Sequence, residues 1–99
     1  MRLETLRVDD ILVSPDHYID GARVDSEFSF ELLSPIDQGL LGRIGEGGPE
    51  HVDSAIAAAQ KAFPTWSRLT AAERLPYLNR FADEIGKRAE AFCRLELSL

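Results

Sequence analysis

The sequence predicts an α+β chain: a β-hairpin and short strands in its first half, then two amphipathic helices. Three observations predict it. In "YIDGARV", Asp20-Gly21 separates two short apolar runs, and that dipeptide tolerates the positive φ angles of a two-residue hairpin turn. In "FSFELL", Phe28, Phe30 and Leu32 alternate with Ser29 and Glu31, the period of a half-buried strand. From Val52 onward the apolar residues recur at about 3.6 positions, the period of a helix face.

Taken in order, residues 1–15 are expected to form an irregular N-terminal arm that ends at Pro15. Its longest apolar run, "ILV", is far too short for a secretory leader. Residues 16–48 hold the hairpin and the short strands. Pro35 ends the "FSFELL" strand, "GLLGRIG" is a further short strand, and "EGGPE" is a break.

Residues 49–99 are expected to be a two-helix segment. Pro49 suits the opening position of the first helix, where its missing N–H costs nothing. Glu50 then faces the positive end of the helix dipole. Val52, Ala55, Ile56, Ala59, Ala62 and Phe63 fall on one side, and Ser54 and Lys61 fall opposite. Pro64 is expected to stop this helix, because the residue before a proline is pushed out of the helical region. An alanine face of this kind lets a backbone lie close against a large neighbouring surface, with Phe63 and Trp66 filling the gap beside it.

The second helix opens with "TAAE", a capping box in which the Thr70 hydroxyl and the Glu73 carboxylate satisfy each other's backbone N–H. Leu75, Leu78, Phe81, Ala82, Ile85, Ala89 and Phe92 form its apolar stripe. Asp83–Lys87, Glu84–Arg88 and Glu90–Arg94 are acid-to-base pairs four residues apart, each worth roughly 0.2–0.5 kcal/mol. Pro76 removes one backbone hydrogen bond and should bend the helix slightly. The helix is expected to run unbroken to Leu99. Glu96 falls on the centre of the stripe, where a carboxylate must find a donor or escape to water at a frayed end.

The net charge of -6 is unevenly placed: residues 1–48 hold 4 basic and 10 acidic side chains, and residues 49–99 hold 7 of each. An acidic chain without a basic stripe argues against nucleic acid and anionic membrane as partners. One cysteine, Cys93, excludes an internal disulfide framework and fits a reducing compartment. The expected localisation is therefore cytoplasmic.

Residues able to carry chemistry are scarce. After Gly45 and Gly47 a dinucleotide fingerprint needs glycine at the position of Glu50, and Gly47 is followed by Gly48-Pro49 where a P-loop needs lysine. His17 and His51 lack metal-ligand spacing, and Asp16 or Asp53 could join them only through the fold. Cys93 is expected to be a small buried hydrophobe, and Trp66 a packing anchor. Ser34, Ser67 and Ser98 lie in no nucleophile elbow. No catalytic, cofactor-binding or metal-binding residue is expected in this chain.

The order of these pieces resembles the N-terminal stretch of the NAD(P)-dependent aldehyde dehydrogenase superfamily. "YIDG" (Tyr18 to Gly21) is similar to the family's opening hairpin, followed by Ser34-Pro35 and by Gly39 with "LLGRI". "HVDSAIAAAQKAFPTW" carries the family pattern at Val52, Asp53, Ala55, Ile56, Ala58, Ala59, Ala62, Phe63 and Trp66. Glu73-Arg74, Leu78, Ala82, Ile85 and Glu96 resemble the helix that follows. Pro76 and Asp37-Gln38 depart from the pattern, and Cys93 does not match the family's cysteine motif.

The resemblance implies that the chain is an incomplete N-terminal part of one cofactor-binding domain, the outer part of an α/β fold. It implies a parent oxidoreductase that converts an aldehyde or semialdehyde to a carboxylic acid with NAD or NADP, and that forms homo-oligomers. The hydroxymuconate-semialdehyde type is the nearest in pattern. The chain's partner would be the remainder of that enzyme, and the chain alone is expected to be inactive and to bind no cofactor. The alternative is a free-standing acidic helical module that binds a protein partner through its apolar faces.

Overall fold

Six short strands pair as three antiparallel ribbons and are followed by three helices. The computed structural model describes residues 2–99, so Met1, the first residue of the expected arm, lies outside the described residues.

The expected irregular arm holds a hairpin instead, which corrects the sequence reading. Strands β1 (Leu6–Val8) and β2 (Ile11–Val13) pair antiparallel, with Leu6 opposite Val13 and Val8 opposite Ile11. The turn between them is Asp9-Asp10, with φ of 48° and 64°. Aspartate is among the few residues that enter this left-handed region at modest cost, so two of them can serve where a glycine is usual.

The hairpin around Asp20-Gly21 forms as expected. Strands β3 (His17–Ile19) and β4 (Ala22–Val24) flank the two turn residues, whose φ angles are 51° and 76°. Strand β5 (Ser29–Leu33) pairs with β6 (Leu40–Gly45). Leu32 faces Gly42 while Leu33 faces Leu40, so Leu41 bulges out of the ladder. The link between these strands is tied by its own side chains. Asp37 Oδ1 accepts the Gly39 N–H at 2.9 Å, and Ser34 Oγ accepts the Ile36 N–H at 3.2 Å.

The core is small and lies where β1 meets β6. Leu6 and Val8 are its buried hydrophobic side chains, at 3% and 2% exposure. Gly42 allows this contact, because Leu6 Cδ2 lies 2.8 Å from the position a Cβ there would take. Gly45 joins the ribbons: its N–H bonds the Pro15 carbonyl at 2.9 Å, and the next N–H, of Glu46, bonds the Phe28 carbonyl.

Helix α1 spans Pro49–Ser67, α2 spans Ala71–Lys87 and α3 spans Ala89–Ser98. Two sequence expectations are corrected here. Pro64 does not stop α1, which continues to Ser67. Its last turn is held by other groups, since Ser67 Oγ donates to the Pro64 carbonyl at 3.1 Å and the Leu69 N–H bonds the Trp66 carbonyl. The second helix is also not continuous, so the expected two-helix segment contains three helices. The break falls at Arg88 (φ -112°, ψ 17°), two residues after Gly86, and glycine costs about 1 kcal/mol in a helix interior. Pro76 lies inside α2, which runs through it.

The chain is far from a closed globule. Its radius of gyration is 16.7 Å, against about 13 Å for a compact domain of this length. Its accessible surface is 7898 Å², roughly 2,300 Å² more than a compact protein of this mass exposes. Large exposed apolar side chains lie on both halves, from Tyr18, Phe28 and Ile36 to Phe63, Phe81 and Leu97, and the helices hold the longest continuous run of them.

Candidate functional site

The surface is built from the N-terminus of α1 onward. Gly48 caps α1 without a side chain, so only one half of a capping box forms: His51 Nδ1 accepts the Gly48 N–H at 3.0 Å. The helix then presents Val52, Ile56 and Phe63 along one side, at 57%, 51% and 65% exposure. Ala55, Ala59 and Ala62 lie beside them and are exposed as well, while Ala58 is half-buried. No residue of α1 is buried. The alanine face that the sequence reserves for close packing touches nothing large.

At the turn into α2 the two helices are fastened by one cation. Arg74 Nη2 donates to the carbonyls of Trp66 and Ser67, at 3.3 Å each, and its guanidinium lies 5.6 Å from the centre of the Trp66 ring. Tyr77 meets the same indole edge-on at 5.7 Å. Trp66 is thus an anchor, as the sequence suggests, but of the corner between helices and not of a filled core.

Helix α2 starts with the expected capping box. The Glu73 N–H bonds Thr70 Oγ1 at 3.2 Å, and Glu73 Oε1 accepts the Thr70 N–H at 3.0 Å. Those bonds, the backbone one first, hold the Glu73 carboxyl below the ordinary glutamate range. Farther along, Glu84 takes Arg88 at 2.6 Å and Lys87 at 3.1 Å, and the two cations, Arg88 first, lower its carboxyl likewise. Lys87 therefore serves Glu84 and not Asp83, the partner that the four-residue spacing assigns to it. Glu90–Arg94 forms at 2.7 Å as expected.

Opposite these polar pairs Leu78, Phe81 and Ile85 stand exposed, and Phe92 and Leu97 continue the surface along α3. No residue of α2 or α3 is buried. Glu96 is exposed too, so its carboxylate sits in water in the middle of the stripe. Cys93 is exposed, which corrects its expected burial; the β1–β2 turn reaches α3 at Arg94, whose Nε lies 3.9 Å from Asp9 Oδ2.

Two histidines that the sequence keeps 34 positions apart are brought together. The rings of His17 and His51 lie 4.5 Å apart at the foot of α1. The sequence held no local signal for this contact, because it depends on α1 packing against β3. Among the described residues, no group of three or more His, Cys, Asp or Glu side chains converges as a metal site would.

The glycine turn before α1 does not suit a dinucleotide. A pyrophosphate needs free N–H groups at the helix start and an approach clear of anions. Here His51 already takes the Gly48 N–H, and Glu50 Oε2 lies 2.6 Å from where a Cβ on Gly48 would stand. The carboxylate occupies the place of a phosphate. A groove of about 520 Å³ lies between Arg2–Arg7 and Leu40–Arg43. Among the described residues no helix is long and apolar enough to cross a membrane.

Comparison with known proteins gives the context this surface lacks. The model of the Aldehyde dehydrogenase family matches residues 22–98. The chain is 32% identical over 83 residues to 2-aminomuconic 6-semialdehyde dehydrogenase of Pseudomonas sp, covering 83% of this chain and 17% of that protein. It is 38% identical over 79 residues to 2-hydroxymuconic semialdehyde dehydrogenase of Pseudomonas putida, covering 77% and 16%. With aldehyde dehydrogenase family 2 member C4 of Arabidopsis thaliana it shares 36% over 83 residues, or 80% and 17%. The chain thus spans about a sixth of the length of the curated relatives it matches.

Proposed function

The chain belongs to the aldehyde dehydrogenase family, and on that premise we propose that it serves as the N-terminal segment of an enzyme that oxidises an aldehyde or semialdehyde to a carboxylic acid with NAD or NADP. Its place is the outer part of the cofactor-binding domain, in an enzyme that assembles as a homo-oligomer. The semialdehyde class is favoured by the muconic semialdehyde dehydrogenases among its relatives.

The chain's own contribution is packing and not chemistry. The observation that carries this reading is that α1, α2 and α3 form as helices yet hold no buried residue. Each large apolar side chain on them contributes roughly 1.5–3 kcal/mol once covered, and nothing before that. The excess surface of roughly 2,300 Å² exceeds the roughly 800 Å² that one partner gives to a standard interface. A surface of that size suits the interior of a larger domain. The turn at Gly47-Gly48 does not fit the cofactor, so no step of the oxidation is routed through these residues.

The test is reassembly. The chain is co-expressed with the Pseudomonas putida relative from which the aligned segment has been removed, and aldehyde-dependent formation of NAD(P)H is followed. Co-purification and activity above that of either piece alone are expected. Failure of the two pieces to associate at all overturns the reading. The exposed faces would equally serve a free-standing acidic module for a protein partner, and such a module gains nothing from the dehydrogenase remainder. The chain alone should turn over no aldehyde and give no heat with NAD+; a micromolar binding signal contradicts the assignment.

A further inference from the structure

The foot of α1 is built around groups whose bonding depends on protonation. His51 Nδ1 accepts the Gly48 N–H at 3.0 Å, so this nitrogen carries no proton. Nε2 is then the protonated nitrogen and donates to the Asp25 carbonyl at 3.0 Å. One imidazole therefore caps the helix with one edge and holds the turn after β4 with the other. His17, on β3, lies against it at 4.5 Å and bonds Ser26 Oγ through Nε2 at 2.8 Å. Gly47 lies beside the second ring, where a Cβ would meet His17 Cε1 in ordinary contact at 3.4 Å. Through these contacts α1 is seated on β3 and on the Asp25–Ser26 turn.

A proton taken up at His51 Nδ1 removes the acceptor that the Gly48 N–H uses. It also places a positive charge at the positive end of the α1 dipole, which the helix opposes. A second proton on His17 sets two cations face to face. The charged groups placed against the pair are few. Glu50 Oε1 lies 3.3 Å from His51 Nδ1, and its side chain is 71% exposed and well screened. Asp16 precedes His17, and its Oδ2 is held by Arg2 at 3.3 Å. Asp25 presents its carbonyl oxygen to the pair.

The geometry points to a pH-sensitive clasp: His51 and His17 lock the first turn of α1 onto the β3–β4 hairpin when neutral and release it when protonated. Release frees the end of the helix that positions Val52 and Ile56, so acidification loosens the docking face described above. The clasp is independent of the enzymatic reading, because it rests on contacts within this chain alone.

Hydrogen exchange of the His51 and Val52 amides, both bonded to the Gly48 carbonyl, reads the clasp directly. After correction for the intrinsic pH dependence of exchange, protection should fall about tenfold between about pH 7.5 and about pH 5.5, across the range where imidazoles ordinarily charge. His51→Gln keeps an acceptor for the Gly48 N–H, as glutamine does at this position of a capping box, but cannot be protonated there. Its protection should stay within about twofold over the same range. His17→Gln should retain part of the fall. The proposal is overturned if protection in the native chain is flat, if His51→Gln falls as far as the native chain, or if these amides are unprotected already at the higher pH.

Discussion

Arg74 lies over the only tryptophan of the chain: its guanidinium sits 5.6 Å from the centre of the Trp66 ring and bonds the Trp66 carbonyl at 3.3 Å. One side chain thereby closes the last turn of α1 and sets the start of α2. Replacing it should release both carbonyls of that turn. Arg74→Ala is expected to loosen the corner by about 1–2 kcal/mol, from the charge-assisted hydrogen bonds and the cation–π contact together. Because Trp66 is the only indole, a red shift of its fluorescence reports the change without ambiguity. Arg74→Lys should recover little, since a single ammonium cannot span two carbonyls and a ring face as a planar guanidinium does. An unchanged emission maximum in Arg74→Ala contradicts the arrangement.

Gly42 is required both by close approach and by its φ of 156°. A Cβ there would press on the Leu6 side chain, which is buried and has no room to retreat. Gly42→Ala should therefore cost about 1–3 kcal/mol, the usual penalty of overpacking a fitted site, and should separate β1 from β6. Amide exchange in β1 measures it. The double variant Gly42→Ala with Leu6→Ala should regain part of the β1–β6 contact, and no regain would place the fault elsewhere.

The capping box of α2 carries its own pH dependence. The Glu73 carboxyl is held down by the Thr70 backbone N–H and hydroxyl. A lowered value in the folded state means that the stabilisation is full above the ordinary glutamate range and is lost as pH falls through the lowered value. The first turn of α2 should therefore fray only below the ordinary glutamate range, well under the range in which the histidine clasp opens. Thr70→Ala should fray it at neutral pH and remove the acid step. Amide exchange at Glu73 and Arg74 separates this transition from the one at His51.

How much of this was legible in the sequence follows from how local each cause is. The Asp20-Gly21 turn and the Thr70–Glu73 box could be read because both ends of each interaction lie within a few residues. The Asp9-Asp10 turn could not, since two aspartates permit a left-handed turn without demanding one. Pro64 misled for a similar reason. The chain rule that ends a helix before proline is overridden here: α1 runs on to Ser67, and its last carbonyls are satisfied by Ser67 Oγ and Arg74. The break at Arg88 had only Gly86 to announce it. The His17–His51 contact had no sequence signal, because it exists only where two ribbons and a helix meet. The apolar stripes were legible as stripes, and their lack of any cover became visible only in three dimensions.

The apolar stripes also carry the central claim, that these helices are shaped for a surface this chain does not provide. The most direct measurement is the behaviour of the 99-residue chain by itself: hydrodynamic size in dilute solution together with the sharpness of its thermal unfolding. Self-association with a broad, weakly cooperative transition is expected. A compact monomer that melts in one sharp step would contradict it.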